Sequence, residues 1–285
     1  MPPFVYVTSP CHVSLVTSFS GPPPMLTTAL PRRISALVGL TCLAALAGCT
    51  ERAKVNTLAD LDGKEFAVPT GTVADQLVTS KLPTATFKYF NTVLDAAMAV
   101  KAGKADAAAY DEPILRNIVA KNPGLRVLPE KITTDEYGFA MRLDAPALKE
   151  AVDAVIADSR ASGLYQEMMN RWLPAQGAPG AMPAIAEGTD GELRFGTSAT
   201  TEPFSFMDGS QKIVGMDVEF AARVAQKLNK RLTIVNMDFG AMIPALIAGK
   251  VDLIGACITI TEERKKAVLF STPYYTGGIS ALVKE

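Results

Sequence analysis

The chain is poor in the residues that carry most protein chemistry. Of its 285 residues one is histidine, His12, and four are cysteines, Cys11, Cys42, Cys49 and Cys257. Histidine supplies most general bases at neutral pH and is the commonest metal ligand, so neither histidine-dependent catalysis nor a histidine metal site is expected. Four dispersed cysteines make neither a disulfide framework nor a zinc site. Charge of one sign is missing too, with 28 Lys and Arg against 29 Asp and Glu. That balance offers no basic footprint for nucleic acid and no acidic tail. What remains, 48% hydrophobic and 20% charged residues, is an ordinary globular mixture. No metal, cofactor, nucleic-acid partner or catalytic residue is therefore expected.

The first fifty residues read as an address. Arg32 and Arg33 precede an apolar run, Ile34 to Ala47, that ends in Leu46-Ala47-Gly48-Cys49. A basic stretch, a short apolar run and small residues before a cut describe a secretory signal. The run is shorter than the roughly 20 helical residues that span a bilayer. Leu46 to Cys49 resembles a lipoprotein lipobox, in which the cysteine thiol is acylated and becomes the mature N-terminus. The alternative is a plain signal peptide with an incidental cysteine. Residues 1–24 carry Pro22-Pro23-Pro24 and no periodicity, and Met25 gives a better-shaped signal. The expectation is a signal region over 1–48, with 1–24 a misassigned start, and a mature protein in the periplasm or at the cell surface, held to a membrane through lipid on Cys49.

The mature region repeats one pattern. A cap at Asn91-Thr92 opens a helix, Val93 to Ala102, followed by Gly103 and a strand-like run, Ala105 to Tyr110. Met242 to Ala248 reads as a second helix, followed by Gly249 and an apolar strand, Val251 to Ala256. Both junctions carry the same residues, Ala102-Gly103-Lys104-Ala105-Asp106 and Ala248-Gly249-Lys250-Val251-Asp252. A repeated helix–Gly–strand unit implies two similar α/β lobes, each a mainly parallel sheet covered by helices. Between them, Leu148, Val152, Val155 and Ile156 form a helical stripe over Pro146 to Ala161. Pro174 to Asp190 is rich in Pro, Gly and Ala and has no periodicity, which places a surface linker at 176–192. Strands are expected at Leu193 to Gly196 and Leu232 to Val235, joined by a helix to Leu228 that Asp217 would cap.

From Leu193 onward the chain resembles the polar amino-acid-binding receptors of bacterial ABC importers, the solute-binding proteins of family 3. The resemblance rests on Pro203-Phe204-Ser205-Phe206, Gly215-Met216-Asp217, Met237-Asp238-Phe239 with Ile243-Pro244-Ala245-Leu246, Thr259 to Arg264, Phe270-Ser271 and Pro273-Tyr274-Tyr275. Motifs of that family's second lobe stand earlier in the chain, Leu58 to Lys64, Gly71-Thr72 and Tyr110-Asp111, as do its return strand, Tyr137-Gly138-Phe139-Ala140, and its closing Trp172. The resemblance implies a two-lobed, periplasmic-binding-protein-like fold of type II, with the usual order circularly permuted. Lobe 2 would comprise 54–137 plus 279–285, and lobe 1 would comprise 138–175 plus 193–278. Chain ends of compact domains often lie close together at the surface, so such a rotation is tolerable. The rival is a fragment holding halves of two tandem receptors.

A free amino acid is a zwitterion, and a buried site must pair both of its charges. The resemblance assigns Arg264 to the ligand carboxylate, a role suited to a planar guanidinium fork. Thr259 and backbone groups at Ala256 and Cys257 would add hydrogen bonds. Gly71-Thr72-Val73 opens a helix whose free N–H groups suit an anion. Asp111 would accept the ammonium, and Phe239 would lie against the side chain. Ser198 and Thr201 stand where relatives place an acid and an aromatic residue, which favours a neutral, polar or small amino acid unless Glu202 reaches in. Competing readings stay open. Arg264 is otherwise a solvated helix charge, Asp111 the cap of the turn before Pro113, Thr72 a helix cap, Phe239 a core residue and Cys257 a small buried hydrophobe.

The function implied is capture of a free amino acid for an ABC permease and ATPase. The alternatives are a periplasmic enzyme of the same fold, dehydratase-like, with a carboxyl group such as Glu202 as its acid or base, or an amino-acid sensor.

Overall fold

The computed structural model describes residues 54–175 and 177–285; the signal region and Cys49 lie outside the described residues. Two five-stranded mixed sheets organise the chain. In the first, the order is Thr86–Phe90, Glu65–Pro69, Ala107–Asp111, Ile279–Lys284 and Leu125–Lys131. The first three of these run parallel, while Ile279–Lys284 pairs antiparallel with both of its neighbours. In the second, the order is Arg231–Asn236, Glu192–Thr197, Leu253–Ile254, Ala140–Met141 and Leu269–Phe270, again three parallel strands and an inserted antiparallel one. The fold is two-lobed and α/β, and the two sheets are built to one plan.

The repeated junction explains the shared plan. Thr92 accepts the Asp95 N–H at 3.1 Å and starts the helix Val93–Lys101. Gly103, at φ 70°, lets Lys104 N–H reach back to the Ala99 carbonyl at 2.8 Å. In the second lobe Gly249, at φ 67°, lets Lys250 N–H reach the Ala245 carbonyl at 2.9 Å. Only glycine adopts this left-handed cap without penalty. The aspartates that follow do matching work. Asp106 N–H donates to the Glu65 carbonyl at 2.9 Å while its carboxylate accepts the Glu65 N–H at 3.1 Å. Asp252 holds Arg194 in the same way, at 2.8 and 3.0 Å. Each repeat thus staples the entry of its sheet's third strand to the first strand.

Expected elements are present with adjusted ends. The helix Pro146–Ala161 buries Val152, Val155 and Ile156. The expected strand Val251 to Ala256 is only Leu253–Ile254, because Cys257 turns the chain at φ 55°. Tyr137 to Ala140 is divided into Glu136–Tyr137 and Ala140–Met141. Asp217 is not a cap: the helix is Met216–Lys227 with Gly215 at its start, and Asp217 is buried in its first turn. Residues 177–191 contain no helix or strand, and the segment is tied along the surface where Gly188 N–H meets the Lys230 carbonyl at 3.1 Å.

The chain passes between the sheets twice, and the two crossings pair antiparallel as Glu136–Tyr137 against Tyr275–Thr276. A second fixed point secures the helix Leu164–Trp172 to the second lobe. The fully buried carboxylate of Glu219 accepts from Arg171 Nη1 at 2.7 Å, Trp172 Nε1 at 2.7 Å and Arg223 Nη2 at 2.5 Å. Removing it strands two largely buried guanidinium groups and an indole N–H, a loss of roughly 3–5 kcal/mol. Glu219→Ala is therefore expected to lower the urea midpoint sharply, whereas Glu187→Ala, on the exposed linker, leaves it unchanged.

Candidate functional site

The rims of the two lobes meet backbone to backbone. Gly71, in a turn at φ 79°, lies so close to Gly240 that a Cβ on Gly71 would stand 2.5 Å from the Gly240 Cα. A side chain at Gly71 would be excluded by both its backbone angle and this contact. The strand Ala107–Asp111 delivers Asp111 to the same place from the first lobe, while Thr259 and the short helix Glu262–Lys265 deliver Arg264 from the second.

A single small cavity, about 10 Å³, is lined by Thr72, Val73, Asp111, Phe239, Cys257, Thr259 and Arg264, with Ala74, Tyr110 and Ile279 completing it. Phe239 and Arg264 also border a neighbouring space of about 60 Å³ against Gly71, Gly240 and Met242. A water needs about 10–15 Å³ by this kind of measure, so an amino acid enters only if the lobes part. The structure therefore brings together seven of the residues singled out from sequence. Ala256, Ser198 and Thr201 are buried but do not line this cavity. Ser198 Oγ lies 3.1 Å from Thr200 Oγ1, and Thr201 Oγ1 donates to the Ser198 carbonyl at 3.0 Å. Glu202 does not reach in: its carboxylate pairs with Lys121 at 2.5 Å. A larger concavity, about 960 Å³, lies under the linker and is lined by Pro179 to Glu187, Phe206 and Met207. Of the cavities, size favours that one, but convergent charge favours the small one.

Both charges in the cleft are held out of water by substitutes. Arg264 Nη1 donates to the Thr259 carbonyl at 2.9 Å, Nη2 reaches the Gly71 carbonyl at 3.4 Å, and the guanidinium lies 5.7 Å from the centre of the Phe239 ring. Burial pulls the Arg264 pKa down, opposed by Tyr110, Asp111 and Glu263. Asp111, 4% exposed, has its carboxyl pushed up to about 7 by burial. The hydrogen bond from Tyr137 Oη to Asp111 Oδ1 opposes that rise, Asp135 adds to it and Arg264 opposes it. Thr72 Oγ1 donates to the Pro69 carbonyl at 2.9 Å and faces the Ala74 N–H at 3.4 Å, at the entry to the helix Ala74–Lys81.

Two partners of the site escaped sequence reasoning. Asp217 Oδ2 accepts the Cys257 N–H at 3.1 Å and pins the left-handed turn that aims residues 256–259 at the cavity. Burial raises the Asp217 pKa to about 7 as well, while Tyr274 and the Cys257 N–H lower it. Tyr137, from the crossing strand, is the other. Among the described residues no cluster of His, Cys, Asp and Glu could hold a metal ion, and no helix is long and apolar enough to cross a membrane.

The fold is a two-lobed α/β architecture whose small cleft cavity is lined by one cation, Arg264, and one carboxylate, Asp111. Residues 193–285 match the bacterial extracellular solute-binding proteins, family 3, over about a third of the chain. The arginine-binding extracellular protein ArtP of Bacillus subtilis is 45% identical over 85 residues, 30% of this chain and 33% of that protein. The L-cystine-binding protein TcyJ of Escherichia coli is 38% identical over 95 residues, 33% of this chain and 36% of that protein. The chain spans about a third of the length of the curated relatives it matches. A solved structure, the arginine-bound form of domain 1 from TmArgBP, is 42% identical over 33% of this chain and 80% of that one, with a TM-score of 0.30.

The Asp111 carboxyl makes stability depend on pH. An unfolded aspartate titrates near 3.9, so between about pH 4 and 7 the folded chain keeps a proton that the unfolded chain has released. Stability contributed by this group is present below that window and is lost as pH rises through it. Asp111→Asn cannot ionise and still accepts from Tyr137. It is expected to exceed the wild type in urea stability at pH 8, by at most about 4 kcal/mol, with the gap closing by pH 4.

Proposed function

We propose that the chain is an extracytoplasmic solute-binding protein that clamps one free amino acid between its lobes and presents it to an ABC permease and ATPase. One observation carries the reading: Asp111, at the end of a strand of the first lobe, and Arg264, on a short helix of the second, line one cavity. Each feels the other's charge, and among the described residues no ion pair joins them directly. The Thr259 hydroxyl and the N-terminal turn of Ala74–Lys81 supply donors beside the carboxylate end. On closure, water no longer competes with either pair, so binding favours the closed state.

For the side chain we propose a neutral, polar or small group. Among the described residues Asp111 is the only carboxylate lining either space at the cleft, and the ammonium claims it. A cationic side chain, as in the arginine for which ArtP is named, would find no second acid there, since Ser198 is a hydroxyl and Glu202 is held by Lys121. We further propose that Cys49 carries a lipid anchor and that the chain is a circular permutant of the family order. The permutation is supported by the strand Leu125–Lys131, which holds both ends of the described region. Its Arg126 Nη2 donates to the Val55 carbonyl, and Leu125 pairs with Lys284.

A thermal-shift screen of the twenty amino acids is expected to single out a neutral one, because a ligand raises stability by mass action. Calorimetry should then show Arg264→Ala at least about a hundredfold weaker, equivalent to some 2.8 kcal/mol at about 1.4 kcal/mol per decade. Lys265→Ala, on the exposed face of the same helix, should bind as the wild type does. Wild-type affinity in Arg264→Ala would remove Arg264 from the site and the amino-acid reading with it.

A further inference from the structure

Tyr137 sits where the two lobes, the hinge and the ligand groups meet. It belongs to the crossing pair Glu136–Tyr137 and Tyr275–Thr276, and it is fully buried. Its backbone bridges to Thr259, whose carbonyl holds Arg264 Nη1 at 2.9 Å. Its hydroxyl accepts the Gly278 N–H at 3.1 Å, just beyond the second crossing, and donates to Asp111 Oδ1. Its ring stacks on Tyr275, 5.7 Å between centroids, and meets Phe204 edge-on at 6.3 Å. Gly277 has no room for a side chain because a Cβ there would run into the Tyr137 ring and hydroxyl. A tyrosine needed only for packing would not require an oxygen that bonds to the hinge and to the ligand-facing acid at once.

We propose that Tyr137 is a positioning residue for ligand binding, which ties the ammonium acceptor Asp111 and the Thr259 segment behind Arg264 to the strand pair joining the lobes. The proposal rests on the amino-acid reading of the cleft. The hydroxyl fixes the rotation of the Asp111 carboxylate and stabilises its ionised form, the form an ammonium needs. Because the same oxygen is fixed by Gly278 N–H, the direction in which Asp111 faces the cavity is set by the hinge. Opening the hinge would shift the tyrosine and turn the acceptor away, so the site is complete only when the lobes are closed. The other titratable groups facing Asp111 are Arg264, Asp135, Asp217, Tyr110, Cys257 and Tyr275. None of them replaces a donor bonded directly to its carboxylate.

The test is Tyr137→Phe, which keeps the ring and its stacking and removes only the hydroxyl. In the ligand-free protein, carbon-13 NMR of the Asp111 carboxyl should show its titration midpoint moved upward from about 7, since a bond that favoured the ionised form is gone. Calorimetry with the amino acid selected by thermal shift, from pH 5 to 8, should show binding at least tenfold weaker at neutral pH, with the midpoint of its pH dependence displaced in the same direction. An unchanged Asp111 midpoint would overturn the proposal even if affinity fell, because the loss would then be general loosening. Asp111→Asn measured alongside separates the readings. If it loses binding while Tyr137→Phe keeps both affinity and midpoint, the tyrosine role alone is wrong. If Asp111→Asn binds as the wild type does, the ammonium site is wrong and the tyrosine role falls with it.

Discussion

A charge withdrawn from water must find a partner, and the cleft holds two charges whose partners are makeshift. Arg264 rests on backbone carbonyls and the face of Phe239; Asp111 rests on one phenol. Burial presses both toward their neutral forms, lowering the arginine and raising the aspartate. A zwitterion would reverse both pressures at once, supplying a carboxylate to one and an ammonium to the other. Neither charge can be compensated this way from its own lobe. Two thin strands joining the lobes, with a glycine contact at the rim, suit the proposed clamp.

The rest of the architecture serves to bring two similar frames to one point. Each sheet receives an antiparallel strand inserted beside three parallel ones, and each inserted strand lies just beyond a crossing segment. At the rim, Gly71 lets the backbones touch where a Cβ, 2.5 Å from the Gly240 Cα, would hold the lobes apart. Away from the cleft, the buried Glu219 with its two arginines and Trp172 keeps the helix Leu164–Trp172 fixed to the second lobe. The moving parts are few, and the fixed parts are strongly bonded.

Much of this frame was legible in the sequence, for local reasons. The helix Pro146–Ala161 follows from its apolar stripe, and Thr92 caps where a threonine before an apolar run should. The two Ala-Gly-Lys junctions announced equal lobes because a glycine cap and a stapling aspartate act over a few residues. Through-space partners were not legible. Asp217 reads as a helix cap in sequence, whereas burial turns it toward Cys257, 40 residues away. Tyr137 reads as the first residue of a return strand; its bond to Asp111 spans 26 residues and exists only because the crossing strand and the strand Ala107–Asp111 meet at the cleft. Ser198 and Thr201 have the right chemistry for a pocket, but their hydroxyls are turned toward each other's neighbourhood and not into the cavity. Composition could not foresee that.

The two-ended clamp is tested most directly by altering the ends of the ligand instead of the protein. Calorimetry would compare the amino acid that binds with its N-acetyl derivative, which lacks the ammonium, and with its carboxamide, which lacks the carboxylate. If Asp111 and Arg264 hold opposite ends, each derivative loses at least about two orders of magnitude in affinity, because each leaves one buried charge without its partner. Retention of wild-type affinity by either derivative would contradict the clamp at that end.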